Sequence, residues 1–551
     1  MNQIKEMILF HGDVDAIKEY VFETSSLPQI RGGSQLLLEC EERLRAEIQT
    51  LGGQEIYCSG GSFLFEIPRD KAEAAKQIIE RIYLDYTLTA TVTVAYEDGS
   101  SSFHNLSILP QDGWAKRLWD AHQEAQAGGD FAKRVALLNA RVRQAKLQKR
   151  SAPFFEAFPF GRRCEACGKR IALEEVPRYE PEAQEQVEMV ALCPVCLRRY
   201  RTGVRSKERK VRGRFNERFQ QKYKPTASQP PDLDHLVASA RRKYVAFLYA
   251  DGNDIGKLLQ QVRNKQEFKA LSEALEEGTQ QALFEALHQV CHKELQQNSG
   301  YWPFEIINIG GDDVTLLIQA GYAWEVAVDF LEKFETFVQE FVETKLGAWP
   351  EGWPKKITAS CGIAIADAKH PVGYLEHLAG DLLKTAKREA KANKDYLQSA
   401  VTFLWLPNPV AAEKVEPLMS YYQRGNERLT ARPYILDRAK ELSALVQEAS
   451  NWRRSLRYRW GEALEKGMWV SLNTVYYDIA RRNEKERQQL RQFISDVSKL
   501  AMQQTYHTAP PGPLWQPYQK EHETGWRTAL LDVLELAELR AMRPDMAKEE
   551  R

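Results

Sequence analysis

The sequence predicts an α+β protein: two ferredoxin-like domains, a zinc-bearing helical domain between them and a C-terminal helical bundle. Three observations carry this. The order β-α-β-β-α-β occurs twice along the chain. Between the two copies lies a helical stretch rich in Arg, Lys and Gln, interrupted by two Cys-x-x-Cys pairs. After Pro407 strand signals nearly vanish while helical spacing continues. At 551 residues the chain is too long for one hydrophobic core, and the composition shifts divide it into 1–111, 112–239, 240–408 and 409–551.

In the first copy, the apolar run Met7-Ile8-Leu9-Phe10 reads as a strand that ends at Asp13 and Asp15 and passes into a helix. A helix follows over Ser34 to Leu51, then a hairpin hinged on Gly60-Gly61, a helix from Ala72 to Tyr86 and a β-branched strand from Thr87 to Tyr96. The stretch Lys224 to Pro231, with its prolines and small polar residues, reads as a linker. The second copy runs from an apolar strand, Tyr244 to Ala250, ending in Asp251, through a long helical stretch to a hairpin with the turn Gly310-Gly311-Asp312-Asp313. A helix from Ala323 to Leu346, a strand from Ile357 to Ala366, a helix from Val372 to Asn393 and a strand from Val401 to Leu406 complete it. In the last quarter Trp452, Leu456, Trp460 and Leu464 form one apolar helix face, and the charged tail begins near Pro544.

Equal numbers of basic and acidic residues, 76 of each, exclude a global electrostatic pull toward nucleic acid or membrane, so any basic surface must be local. No apolar run approaches a membrane span, and the N-terminus lacks a secretory signal. A cytoplasmic protein is expected. The single cysteines Cys40, Cys58, Cys291 and Cys361 are expected to be buried thiols in a reducing compartment.

Asp251 at the end of a central strand and Asp312-Asp313 on the neighbouring hairpin turn are expected to meet at one sheet edge. Such a carboxylate cluster can hold one or two divalent metals, Mg²⁺ or Mn²⁺, for nucleotidyl transfer. Gly310 and Gly311 permit a tight turn and close approach of a triphosphate, and Gly252 and Gly256 can do the same after the first strand. Lys387 and Lys391 are the favoured phosphate contacts of the following helix, with Lys384 and Lys394 read as its solvated face. Cys164, Cys167, Cys193 and Cys196 give the four thiolates of a closed, structural zinc site, with a redox pair as the rival reading. The basic run from Arg198 to Arg214 is either a solvated face or a contact for RNA or a partner; Arg453, Arg454, Arg457 and Arg459 are a weaker candidate of the same kind.

The run Asp251-Gly252-Asn253-Asp254-Ile255-Gly256-Lys257, the Gly-Gly-Asp-Asp turn, Ala386-Lys387-Arg388-Glu389-Ala390-Lys391 and Thr430-Ala431-Arg432-Pro433-Tyr434 together resemble the large polymerase/cyclase subunit of type III CRISPR effector complexes. The resemblance spans most of the chain, and GGDEF diguanylate cyclases share its palm more distantly. It implies two palm domains, cyclic oligoadenylate synthesis from ATP with pyrophosphate release, and activation when guide RNA in a complex with other effector subunits binds target RNA. It implies that Asp251, Asp312 and Asp313 are the catalytic metal ligands, and it adds Asn253, Asp254 and Ser360 to the expected nucleotide contacts. Members commonly carry an N-terminal HD nuclease domain, whereas this sequence opens on the first palm and has no His-Asp dipeptide, so DNA cleavage by that route is not expected. Asn253 stands where a third acid is frequent. In the first palm the turn reads Ser59-Gly60-Gly61-Ser62, without acids, so that copy is expected to be a structural or nucleotide-holding partner. A stand-alone polymerase or cyclic dinucleotide synthase, and a catalytically silent RNA-binding scaffold, are the alternatives.

Overall fold

The computed structural model describes residues 6–97, 130–149, 160–177, 188–204, 213–392, 397–408, 414–502, 514–520 and 523–544. The first palm is an antiparallel sheet in the order β2-β3-β1-β4, formed by Met7–Asp15 (β1), Gln54–Ser59 (β2), Ser62–Pro68 (β3) and Thr91–Tyr96 (β4). Helices Leu27–Thr50 and Ala72–Thr87 belong to the same core, which buries Phe10, Phe63, Phe65, Leu44 and Ile79. The fourth strand starts at Thr91 rather than Thr87, because the second helix runs through Thr87, whose hydroxyl bonds back to Tyr83 O at 2.6 Å.

The second palm repeats this arrangement and extends it. Tyr244–Gly252 (β7), Phe304–Gly310 (β8), Asp313–Gln319 (β9), Ala359–Asp367 (β10), Ala400–Trp405 (β11) and Tyr434–Ile435 (β14) form the order β14-β11-β10-β7-β9-β8. Alternation is lost on these strands because both faces are covered, and Val245 to Leu248 are all fully buried. Helices Lys265–Val290 and Ala320–Leu346 pack together, and Val372–Ala390 lies against β10, β11 and β7.

Between the palms, a short hairpin of Glu174–Pro177 (β5) and Met189–Leu192 (β6) leads to helix Pro194–Val204. That helix crosses Leu27–Thr50 so closely that a Cβ at Gly32 would lie 1.8 Å from Arg199 O and one at Gly203 1.7 Å from Pro28 O. Only glycine allows this backbone-to-backbone contact. The expected linker at Lys224–Pro231 is instead pinned to the second palm: Thr226 N–H donates to Leu295 O at 2.9 Å and the Trp302 indole to Ala227 O at 2.9 Å.

The C-terminal region is helical as expected, with Trp460 and Leu464 fully buried and Trp452 packed on Trp460. It also carries a small sheet of Gln423–Arg424 (β12), Glu427–Arg428 (β13), Gln516–Lys520 (β15) and Glu523–Arg527 (β16), in the order β12-β13-β16-β15. Strands this short, with exposed polar residues, leave no apolar alternation to read. The Thr430–Tyr434 motif forms a buried knot. Arg432 is 2% exposed and pairs with Asp532 at 2.8 Å and with Glu535, while Thr430 and Tyr434 donate to Asp532. Arg432 also donates to Phe403 O at 2.8 Å, which ties the bundle to β11. The tail beyond Pro544 lies outside the described residues.

Candidate active site between the two palms

In β7, Asp251 pairs across the sheet with Ser360 of β10, and on the other side Ala250 pairs with Val314 of β9. The β8–β9 turn closes with Gly310 opposite Asp313, and Gly311 takes φ +68°, a left-handed value that suits glycine. Asp251, Asp312 and Asp313 are therefore brought to one edge. A Cβ at Gly252 would fall 2.5 Å from Asp312 Oδ2, so any side chain there displaces that carboxylate.

The turn carboxyls are partly enclosed, and their electrostatics reflect it. Burial, then the neighbouring Asp251, pushes Asp312 up to about 7; the same two causes in the same order push Asp313 up to about 8. Asp313 Oδ1 is buried with no hydrogen-bond partner. Three acids crowded together with an orphaned oxygen are a donor set that suits a divalent cation. Among the described residues, however, the only compact cluster of three or more metal-ligating side chains is that of the cysteines. The Lys387 ammonium sits on Asp251 and also donates to Gly252 O at 2.9 Å.

The other expected contacts separate into two groups. Lys391 pairs with Asp254 at 2.5 Å; burial would raise that acid, but Lys391 and Lys257 hold it below the usual range. Gly256 and Gly311 each face open space where a Cβ would stand, and both line the cleft described below. Asn253 and Ser360 differ from expectation. They are 3% and 0% exposed, Ser360 Oγ donates to Asn253 Oδ1 at 2.8 Å, and Asn253 Nδ2 donates to Thr358 Oγ1 at 3.0 Å. Their polar groups are spent holding the end of β7 to β10. Lys384 pairs with Asp381 at 2.9 Å on the helix surface, and Lys394 lies outside the described residues.

The two palms meet at their turns. Gly60 (φ +64°) and Gly310 touch backbone to backbone: a Cβ on Gly60 would lie 2.9 Å from Gly310 Cα, and one on Gly310 2.7 Å from Gly60 Cα. From the first palm Lys18 reaches across, its ammonium 3.7 Å from the Tyr249 ring centroid and bonded to the Tyr249 hydroxyl. Lys18 opposes the upward shift of Asp313. No sequence pattern marks Lys18, because its partners lie more than two hundred residues away. A cleft of about 650 Å³ opens beside the paired turns, lined by His11, Tyr57 and Ser59 of the first palm, Asn139 of helix Asp130–Gln148, Phe268 of the second palm, and the turn acids. In the first palm itself, Asp13 pairs with Lys146 at 2.5 Å and Asp15 with Lys149 at 2.8 Å.

The sulfur atoms of Cys164, Cys167, Cys193 and Cys196 lie within 4.8 Å of one another, a cluster able to bind a metal such as zinc. The module is fastened to the first palm through Glu23, which accepts from Arg170 at 2.9 Å and pairs with Arg199 at 3.1 Å. Arg199, expected on a basic surface, is thus 0% exposed, while Arg198 donates to Asp85 O and Arg201 pairs with Glu174. Arg205, Lys207, Arg209, Lys210 and Arg212 lie outside the described residues. In the C-terminal candidate, Arg454 and Arg457 pair with Glu538 and Arg459 with Asp478. Among the described residues no helix is long and apolar enough to cross a membrane.

Residues 244–398 match the model of the Cas10/Cmr2 second palm domain. No curated protein sequence matches the chain. Among solved structures, it is similar to a Csm1-Csm4 cassette in complex with pppApApA, at 12% identity over 98% of this chain and 70% of the other, with a TM-score of 0.51. The same cassette in complex with cA3 gives 12% identity, coverage of 97% and 70% and a TM-score of 0.50. The Csm1-Csm4 subcomplex of the type III-A CRISPR-Csm interference complex gives 11% identity, coverage of 98% and 70% and a TM-score of 0.50. Residues 244–398 are accordingly a second palm domain of the Cas10/Cmr2 kind, within a chain whose fold is shared with Csm1 of the Csm1-Csm4 structures.

Proposed function

We propose that this chain is a nucleotidyltransferase that joins ATP into cyclic oligoadenylates, with release of pyrophosphate at each bond. The observation that carries the reading is the meeting of Asp251 with Asp312 and Asp313, the two turn acids lining a cleft shared by both palms, inside the segment that matches the Cas10/Cmr2 second palm. The related cassettes were captured with pppApApA and cA3, a linear and a cyclic adenylate, which fits the same chemistry here.

In this reading Asp251, Asp312 and Asp313 hold Mg²⁺ or Mn²⁺, which when bound polarises the α-phosphate and lowers the pKa of the attacking 3′-hydroxyl. Lys387 and Lys391 move from the acids to the outer phosphates, where they neutralise the leaving pyrophosphate. Gly252, Gly256, Gly310 and Gly311 give the triphosphate room near the backbone, and Asp254 holds Lys391 beside the site until the triphosphate binds. Asn253 and Ser360 act indirectly, by fixing the strand end that bears Asp251. The contact of the two turns aligns one nucleotide's hydroxyl with the other's phosphate. Zinc at the four cysteines is structural. We assign the four units to residues 1–111, 112–239, 240–408 and 409–551, and place the chain in a type III CRISPR effector complex, with target RNA as the trigger.

The test is incubation of the purified chain, alone and with effector subunits and RNA, with each of the four NTPs and Mg²⁺ or Mn²⁺. Pyrophosphate is measured and products are identified by mass spectrometry. Cyclic oligoadenylates that vanish in an Asp312→Ala, Asp313→Ala double variant are expected. Absence of any turnover with all subunits and target RNA present refutes the proposal.

A further inference from the structure

Behind the turn acids, at the seam of the two palms, lies a second and smaller cavity of about 110 Å³. The first palm supplies Lys18, Ser34 and Glu41 to its wall, and the second palm supplies Asn308, Asp313 and Thr315. Asp313 lines both this cavity and the cleft, whereas Asp312 lines only the cleft of the two. The Asp313 carboxyl therefore stands as a partition between them. Side chains alternate along β9, so Asp313 and Thr315 point to the same face, about 6–7 Å apart along the strand. Each has a buried oxygen without a partner, Asp313 Oδ1 and Thr315 Oγ1, and Thr315 is 3% exposed. Register sets Asn308 of β8 directly beside Thr315, and its amide reaches the turn, since a Cβ on Gly310 would lie 3.2 Å from Asn308 Nδ2. Tyr249 of β7, the neighbour of Thr315 on the other side, is engaged with Lys18 instead.

A carboxylate oxygen and a hydroxyl buried without hydrogen bonds are costly to the fold. One strand period apart, the two side chains are too distant to bond each other and near enough to share a bridging molecule. The cavity has room for water and offers the two to four polar partners that a buried water needs. The Lys18 ammonium in the same wall disfavours a cation there.

We infer that Thr315 is a positioning residue for Asp313, holding its carboxylate from behind through a water in the seam cavity and leaving the other oxygen to the cleft. This rests on the reading of the turn acids as metal ligands. The water donates to Asp313 Oδ1, accepts from the Thr315 hydroxyl and has the Asn308 amide as its third partner. Thr315 itself touches neither nucleotide nor metal. A ligating carboxylate supported in this way keeps the orientation a cation needs, and loss of such a support costs about 10–100-fold in metal affinity. Because half of the cavity wall belongs to the first palm, the support exists only while the two palms are apposed.

The test is Mn²⁺ binding to the full chain without nucleotide, followed by the paramagnetic resonance signal of free Mn²⁺. The wild type is expected to bind at a site that the Asp312→Ala, Asp313→Ala double variant lacks. Thr315→Val keeps the shape of the side chain and removes the hydroxyl, so it should weaken that site about tenfold with unchanged far-UV circular dichroism. Thr315→Ser restores the hydroxyl and should bind as the wild type does. Wild-type affinity in Thr315→Val overturns the assignment and leaves the metal-site reading standing. So does an equal loss in Thr315→Ser, which would trace the effect to packing. Should Thr315→Val not fold, a crystal structure of the wild type decides: a water within hydrogen-bond distance of both Asp313 Oδ1 and Thr315 Oγ1 is expected, and a dry cavity overturns the assignment. A wild type that binds Mn²⁺ no better than the double variant overturns the assignment and the metal-site reading together.

Discussion

Glu41 offers a quantitative test of how the palms are held together. It lies on helix Leu27–Thr50, is 4% exposed, and accepts the Gly61 N–H at 2.7 Å, directly under the turn whose Gly60 touches Gly310. Burial pushes its carboxyl from 4.5 up to about 7, against the opposing pull of the Gly61 N–H and of Arg45. Below the unfolded value both states keep the proton and nothing is lost. Between the two values the unfolded chain releases a proton that the folded chain retains, so rising pH lowers stability. Above about 7 the full penalty applies. A shift of that size corresponds to about 3 kcal/mol at pH 8.5. Glu41→Gln keeps an acceptor for Gly61 and never ionises. It should melt near the wild type at pH 5 and several degrees above it at pH 8.5, at roughly 2–4 °C per kcal/mol. Hydrogen-exchange protection of β1 and β3 amides gives the local readout, alongside thermal melts at the two pH values. A gap that does not depend on pH, or a variant less stable than wild type at pH 8.5, would show that Glu41 is ionised and stabilised by Arg45, and would refute the reasoning.

The same physics at the turn predicts a trade between stability and activity. Asp312→Asn and Asp313→Asn each remove a carboxyl raised to about 7 and about 8, so the metal-free variants should melt above wild type at pH 8.5 while product formation is lost. Gly310→Ala sets a Cβ 2.7 Å from Gly60 Cα and must part the turns; a loss of about a hundredfold in product formation with retained far-UV circular dichroism is expected. Elemental analysis should find one zinc per chain, reduced in Cys196→Ser, and chelation should open the helix that follows Cys193 to proteolysis. Asp532→Ala leaves Arg432 buried without its main partner and should cost about 3–5 kcal/mol, read as a lower denaturation midpoint.

The parts of this architecture legible in the sequence are those encoded locally. Apolar runs ending in Asp251, a glycine pair inside a hairpin and Cys-x-x-Cys spacing depend on neighbours a few residues apart, and the corresponding strands, turn and sulfur cluster are present. What was not legible depends on distant partners. Arg199 looks like its basic neighbours until Glu23 and the Tyr20 ring, 4.0 Å away, enclose it. Asn253 and Ser360 read as site residues by their position in the motif, and only the pairing of β7 with β10 turns them toward each other. Lys18 and Asn139 belong to the first palm and its following helix; Lys18 meets Tyr249, and Asn139 lines the cleft, only when the two copies face each other.

The comparison of the two copies shows where that facing arrangement concentrates charge. Each palm ends its central strand in acids, and each packs a helix against its first and fourth strands whose C-terminal end bears two lysines about one turn apart. In the first palm Lys146 and Lys149 meet Asp13 and Asp15, and two hydroxyls, from Thr91 and Thr93, complete the coordination of Asp15. In the second, Lys387 and Lys391 meet Asp251 and Asp254 in the same way. The strand-end acids are therefore compensated in both copies, and they alone do not make one palm different from the other. The difference lies in the turn, where Ser59 and Ser62 flank the glycines of the first palm and Asp312 and Asp313 follow those of the second. Among the described residues neither turn acid has an ion-pair partner, and one oxygen of Asp313 has no partner of any kind. A protein that places uncompensated carboxyls in a half-enclosed edge gives up stability there unless a cation arrives. That surplus, set against a neutral copy that lends Lys18, its own glycine turn and a wall of the cleft, is what makes the second palm the place for chemistry and the first its template.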